Sequence, residues 1–192
     1  PRVVRPAPGV VTVDAQSGRA APQASPHAPS SSADLPVRSL FDEVNSYNKA
    51  KFAEYEQKKM AYSEALRLQT EREQKQLAAK YAAAAGVRAN LSAEDHYYIG
   101  LLHWITENFD RTSESLRKYL VSPEASADKA QTARSIVAVI AAKQKRYDDA
   151  LAMIAEYSKN TPAKLSDRTR METELAKAYF IEKRFAEAAL HS

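Results

Sequence analysis

The chain has 192 residues, one tryptophan, no cysteine and a net charge of +4, which allows one ordinary domain or two small ones. Without cysteine, a disulfide framework, a thiol nucleophile and a zinc finger are all excluded. Four glycines, none of them in a phosphate-seating loop, exclude a Rossmann-type nucleotide fold, and the same scarcity of turn residues excludes β-sandwiches and β-barrels.

Basic and acidic residues alternate, and residues 91–192 carry fifteen of each. A protein that tracks phosphates concentrates its cations on one stripe, so nucleic acid is not expected as a partner. The longest apolar run, Ile136 to Ala142, is about a third of the length that crosses a bilayer, so no transmembrane segment is expected. The chain begins with proline rather than methionine, and the expectation is that an initiator, a signal peptide or a longer N-terminal part has been removed. The absence of cysteine fits an oxidising compartment.

Residues 1–37 hold seven of the nine prolines and none of the sixteen aromatic residues. Such a composition cannot bury enough apolar surface to offset the entropy of ordering it, so an irregular arm or linker is expected. Around Pro6, Pro8, Pro26 and Pro29 it favours polyproline-like extension. Val3, Val4, Val10, Val11 and Val13 give it a short β-prone segment that would order on a partner.

Residues 38–91 read as a long helical region. Phe41, Val44, Asn48, Phe52, Tyr55, Tyr62 and Leu66 recur at spacings of three and four among good helix formers, which predicts either one helix of about 45 residues or an antiparallel pair broken near Lys59 to Ser63. Leu66, Leu77 and Tyr81 form the inner face of the second half. Gly86 is expected to take the left-handed position at its end, with Val87 folding back. The apolar spacing is too ragged for a strict heptad, although a dimeric coiled coil and hence an oligomer stays open.

From residue 92 to 192 the sequence repeats. Glu107-Asn108-Phe109, Lys145-Arg146-Tyr147 and Lys183-Arg184-Phe185 stand 38 residues apart. Each aromatic is preceded by an apolar–small pair, Ile99-Gly100, Val137-Ala138 and Leu175-Ala176, and followed three residues later by Thr112, Ala150 or Ala188. A small residue is needed where two helices cross closely, and the aromatic after the turn is expected to fill the gap between successive hairpins. The prediction is a set of two-helix layers, each unable to bury its apolar face alone, laid on one another with the same offset.

This pattern resembles the tetratricopeptide repeat. Leu175-Ala176 with Tyr179, Phe185 and Ala188 matches best; Val137-Ala138, Tyr147, Ala150 and Pro162 follow, with Ala141 in place of an aromatic. The first unit has His103 and Thr112 where an aromatic and an alanine are usual. The resemblance implies an all-α architecture: a long antiparallel helix pair followed by about two and a half helix–turn–helix repeats, an α-solenoid. It also implies a groove lined by the first helices, which would place Tyr97, Leu101 and Trp104, then Ser135, Val139 and Ala142, then Thr173, Lys177 and Phe180 on a partner-facing surface. The carboxylate clamp of some relatives is not expected, because Leu101 and Val139 stand where asparagine would be. The third unit stops inside its second helix, so continuation of the natural protein is expected. More loosely, the layout is similar to the helical N-terminal regions of bacterial exported proteins that carry a thioredoxin-like domain.

No nucleophile and base occur at a usable spacing, and His96 and His103, seven residues apart, suit structural roles better than metal ligation. No catalytic residue, cofactor or metal is expected, and this segment is not read as an enzyme. The reading is a non-catalytic protein–protein scaffold, periplasmic or extracellular with the cytoplasm as the alternative. The runner-up is an accessory region of an exported thiol–disulfide oxidoreductase whose catalytic domain lies beyond residue 192.

Overall fold

The computed structural model describes residues 35–192. The expectations for the arm, including its valines and its ordering on a partner, lie outside the described residues. Eight α-helices and no strand make up the described chain: α1 Val37–Gln57, α2 Glu64–Gly86, α3 Ala93–Ile105, α4 Phe109–Leu120, α5 Ala127–Lys143, α6 Tyr147–Lys159, α7 Leu165–Ile181 and α8 Phe185–Leu190. The fold is all-α.

α1 and α2 form an antiparallel pair broken at residues 58–63, with Ser63 capping α2 by accepting from the Leu66 N–H at 3.2 Å. Only one part of this pair joins the apolar core. Val37, Leu40 and Val44 of α1 and Ala78, Tyr81, Ala82 and Ala85 of α2 enter the core, and Phe41 lies 5.4 Å from Tyr98 of α3. Further out the two helices are zipped by polar bonds, Tyr47 to Glu73 and Asn48 to Gln74, each at 2.9 Å. Gly86 does not take the left-handed position: it ends α2 with helical geometry, and Val87 is 86% exposed rather than folded back. Asn90 carries the positive φ instead, a role its short polar side chain tolerates.

α3–α4, α5–α6 and α7–α8 are hairpins whose turns are alike to the residue. Glu107, Lys145 and Lys183 have φ of 59°, 58° and 61°. In each turn the next residue donates its N–H five residues back, Asn108 to His103, Arg146 to Ala141 and Arg184 to Tyr179, at 2.8–3.0 Å. This is the Schellman closure, built three times without glycine. The same closure, with Lys59 at φ 53° and Met60 donating to Tyr55, ends α1.

Inside the first hairpin the helices approach so closely that a Cβ on Gly100 would lie 2.6 Å from Leu116 Cδ2. Ala138 is buried in the matching place of α5, and Ala176 is half-buried in α7. Thr112, Ala150 and Ala188 are buried, with the Thr112 hydroxyl satisfied by the Asn108 carbonyl at 2.8 Å. A second tie recurs at the far end of each complete hairpin. The Tyr119 hydroxyl accepts the Ser126 N–H at 2.8 Å, and the Tyr157 hydroxyl accepts the Lys164 N–H at 2.7 Å. Both rings are almost fully buried, and both bonds satisfy a backbone donor where the next helix starts.

The layers do not share one offset, which corrects the expectation. α5 rests mainly on α4, whereas α7 rests mainly on α5. The side chains explain the difference: Tyr97, Leu101 and Trp104 on α3 hold a neighbour away, while Ser135, Val139 and Ala142 at the matching places of α5 admit one. The aromatics after the turns also differ. Phe109 packs on Trp104 of its own hairpin at 5.8 Å and Phe185 on Phe180 at 5.4 Å, each five residues back. Only Tyr147 reaches the next hairpin, stacking on Tyr179 at 4.3 Å.

Gly100→Ala is expected to cost about 1–3 kcal/mol in urea unfolding, because the buried Leu116 must move. Gly86→Ala, where a Cβ meets nothing within 4 Å, is expected to stabilise by about 0.5–1 kcal/mol. Tyr157→Phe keeps the ring but leaves the Lys164 N–H without its acceptor, an expected loss of about 1–2 kcal/mol in the same measurement.

Candidate functional site

The face assigned to a partner groove is the face by which the helices pack on one another. Tyr97, Ser135 and Val139 are 7%, 0% and 2% exposed, so they present no side chain to a partner. Tyr97 packs on Tyr119 at 5.1 Å and lies under the Lys129 ammonium at 5.6 Å; Ser135 accepts from the Arg170 guanidinium at 2.9 Å. Leu101 and Trp104 are half-buried, and Trp104 touches both the N-terminal and the C-terminal core clusters. Ala142 is buried in the second of these. Thr173, Lys177 and Phe180 are exposed, because they lie on the last hairpin, where no described helix covers them.

At Tyr97, Ser135, Val139 and Ala142 the expected groove is therefore a packing face, and of the residues assigned to it only Thr173, Lys177 and Phe180 are exposed. An apolar stripe on the first helix of a hairpin serves a groove or a layer contact equally well, and only the position of the following helix decides. α5 leaves no groove open, since every residue from Ser135 to Ala142 is buried.

The surface left uncovered is on α7 and α8. Phe180, Ile181, Phe185 and Leu190 are 63%, 72%, 57% and 80% exposed. A single exposed apolar residue is ordinary, but the rings of Phe180 and Phe185 meet at 5.4 Å as an exposed aromatic pair of the kind that marks an interaction site. Lys183 stands beside them and makes no ion pair among the described residues. Lys145, its counterpart one hairpin earlier, pairs with Glu182 at 2.9 Å, and Lys143 pairs with Glu174 at 3.2 Å.

That earlier junction shows how such a surface is covered. The Tyr147 hydroxyl donates to Glu182 at 2.8 Å, and the Arg184 guanidinium lies 4.9 Å and 4.5 Å from the Tyr147 and Tyr179 ring centres. Burial, with the Glu182 carboxylate beside it, pushes the Tyr147 phenol up to about 12. Hydrogen bonds from Lys145 and Tyr147 hold Glu182 below the usual carboxylate range. The junction combines an aromatic stack with a charged hydrogen bond, a pairing that fixes both distance and rotation. Sequence reasoning missed Glu182, Glu174 and Arg184 here, since isolated charges on helices read as solvated.

Among the described residues no group of three or more His, Asp or Glu side chains could hold a metal. The His191 Nδ1 donates to the Glu172 carboxylate at 2.6 Å, and the ring stacks 5.8 Å from Tyr179. His96 and His103 are half-buried, and burial lowers both below their ordinary value, helped by Lys118 and Arg111 respectively. For a depressed histidine the unfolded chain binds the proton first, so stability is full well above the ordinary value of 6.5 and falls as the pH drops through it. The thermal midpoint is expected to decline between about pH 7.5 and pH 5, and the His96→Gln, His103→Gln double variant is expected to flatten that decline.

No helix of the described chain is long and apolar enough to cross a membrane. No family model, curated protein or solved structure matches this chain.

Proposed function

We propose that this chain is a non-catalytic protein-binding scaffold made of tetratricopeptide-like hairpins, and that its contact surface is the uncovered face of α7 and α8. The observation that carries the reading is the exposure of Phe180 and Phe185. They occupy the places of Ala142 and Tyr147 one hairpin earlier, where Ala142 is buried and Tyr147 stacks beneath Tyr179. A face that buries aromatic and small residues in one layer offers the same contacts to a partner in the next. The three matched turns at Glu107, Lys145 and Lys183 support the repeat reading, and the absence of cysteine supports a working place outside a bacterial cytoplasm.

The partner surface it calls for is a protein helix with an apolar stripe and a carboxylate near Lys183, as Glu182 is near Lys145. Benzoylphenylalanine placed at position 180 or 185, in cells that make the chain naturally, is expected to crosslink a discrete protein on illumination. The same label at Val121, which is 84% exposed on α4's end, is expected to capture nothing above background. Lys183→Glu is expected to reduce the crosslink at 180 severalfold. Equal capture at 121 and 180 would remove the reading.

A further inference from the structure

The outer part of the α1–α2 hairpin forms an open-sided cavity of about 80 Å³ that the scaffold reading does not use. Three aromatic rings line it, Phe52, Tyr55 and Tyr62, together with Met60 and the side chain of Glu56. The local backbone builds this arrangement. Lys59 takes the left-handed conformation, the Met60 N–H closes on the Tyr55 carbonyl at 3.0 Å, and the chain reverses so that Tyr62 returns to Phe52. The rings lie on different planes: Phe52 meets Tyr55 at 6.0 Å and 78°, and Tyr62 at 6.4 Å and 38°.

We propose that this cavity binds a small organic cation of the alkylated ammonium class, and the proposal is independent of the scaffold reading. A cation held within about 6 Å of several ring centres is drawn by each ring's quadrupole, and groups of non-coplanar rings are how quaternary ammonium ions are held. The polarisable Met60 thioether adds a soft contact. Glu56 supplies the opposite charge. Lys51 and Lys58, the nearby amines, both pair with Glu54, at 3.1 Å and 2.5 Å, and neither Lys59 nor any other described residue makes an ion pair with Glu56.

Size and polarity narrow the class. Engineered apolar cavities of about 150 Å³ take benzene, and one of about 10–15 Å³ takes a single water, so this cavity suits a compact head group such as trimethylammonium. A wholly apolar guest would forgo the attraction of the three ring faces and of the Glu56 charge. A primary ammonium would give up strong hydration to enter, whereas an alkylated one surrenders less.

The test uses choline and its neutral tert-butyl analogue, titrated into the chain labelled at the methionine methyl groups and followed by NMR. Choline is expected to move the Met60 signal while Met153 and Met171, both far along the chain on α6 and α7, stay in place. The neutral analogue is expected to bind more weakly, and Glu56→Gln is expected to weaken choline binding about tenfold. Tyr62→Ala is expected to abolish the shift; its side chain is 69% exposed, so helical content by circular dichroism is expected to be kept. Equal binding of the neutral analogue, no shift at Met60, shifts shared by all three methionines, or unchanged binding in Glu56→Gln would each overturn the proposal.

Discussion

Helix α5 has to hide its whole circumference, and the rest of the C-terminal body is arranged around that need. Eight successive residues from Ser135 to Ala142 are buried, so no side of the helix is left for water over those two turns. A helix that is apolar all round is stable only when neighbours surround it. α4, α6 and α7 supply them. Alanine, serine and valine at 135, 138, 139, 141 and 142 keep the helix slim enough for three neighbours to approach at once. Substituting bulk on any of these positions would push a whole helix, not a side chain.

Polar bonds then set where the neighbours sit. Each complete hairpin ends with a buried tyrosine whose hydroxyl accepts the backbone N–H that opens the following helix. An apolar side chain there would leave a buried donor unsatisfied, at a cost of about 1–3 kcal/mol. The four left-handed residues of the Schellman closures, Lys59, Glu107, Lys145 and Lys183, none of them glycine, carry strain of about 1–2 kcal/mol each, which the two hydrogen bonds of every closure help to offset. Lysine and glutamate suit these positions because their side chains reach straight into water.

The polar surface works differently in the two parts of the molecule. Along α1 and α2 most ion pairs are local, three or four residues apart, as with Lys58–Glu54 and the Arg67 contacts to Glu64 and Glu71; such exposed pairs contribute little. Between α5 and α7 they bridge layers, as in Lys143–Glu174 and Lys145–Glu182. There the charges act together with the Tyr147–Tyr179 stack to fix the rotation of one hairpin on the next.

Much of this was legible before any coordinates. The apolar spacing along α1 and α2, the break near Ser63, the 38-residue period and the crossing positions Gly100, Ala138, Ala150 and Ala188 all follow from rules that act over one or two turns of helix. Gly86 shows the limit of such rules, since the left-handed residue fell at Asn90 instead. The same limit hid the Tyr119 and Tyr157 hydroxyl bonds, whose partners lie seven residues on, across a loop of unpredictable path.

By itself, the order of residues determined that the chain is helical, where its hairpins turn and which face of each helix is apolar, because propensity, capping and periodicity are local. Only the tertiary structure decided what those faces meet. Tyr97, Ser135 and Val139 became packing residues, and Phe180 and Phe185 stayed open, because burial depends on which helix arrives next and how closely, and that distance is set by side-chain volumes summed from segments far apart in the chain.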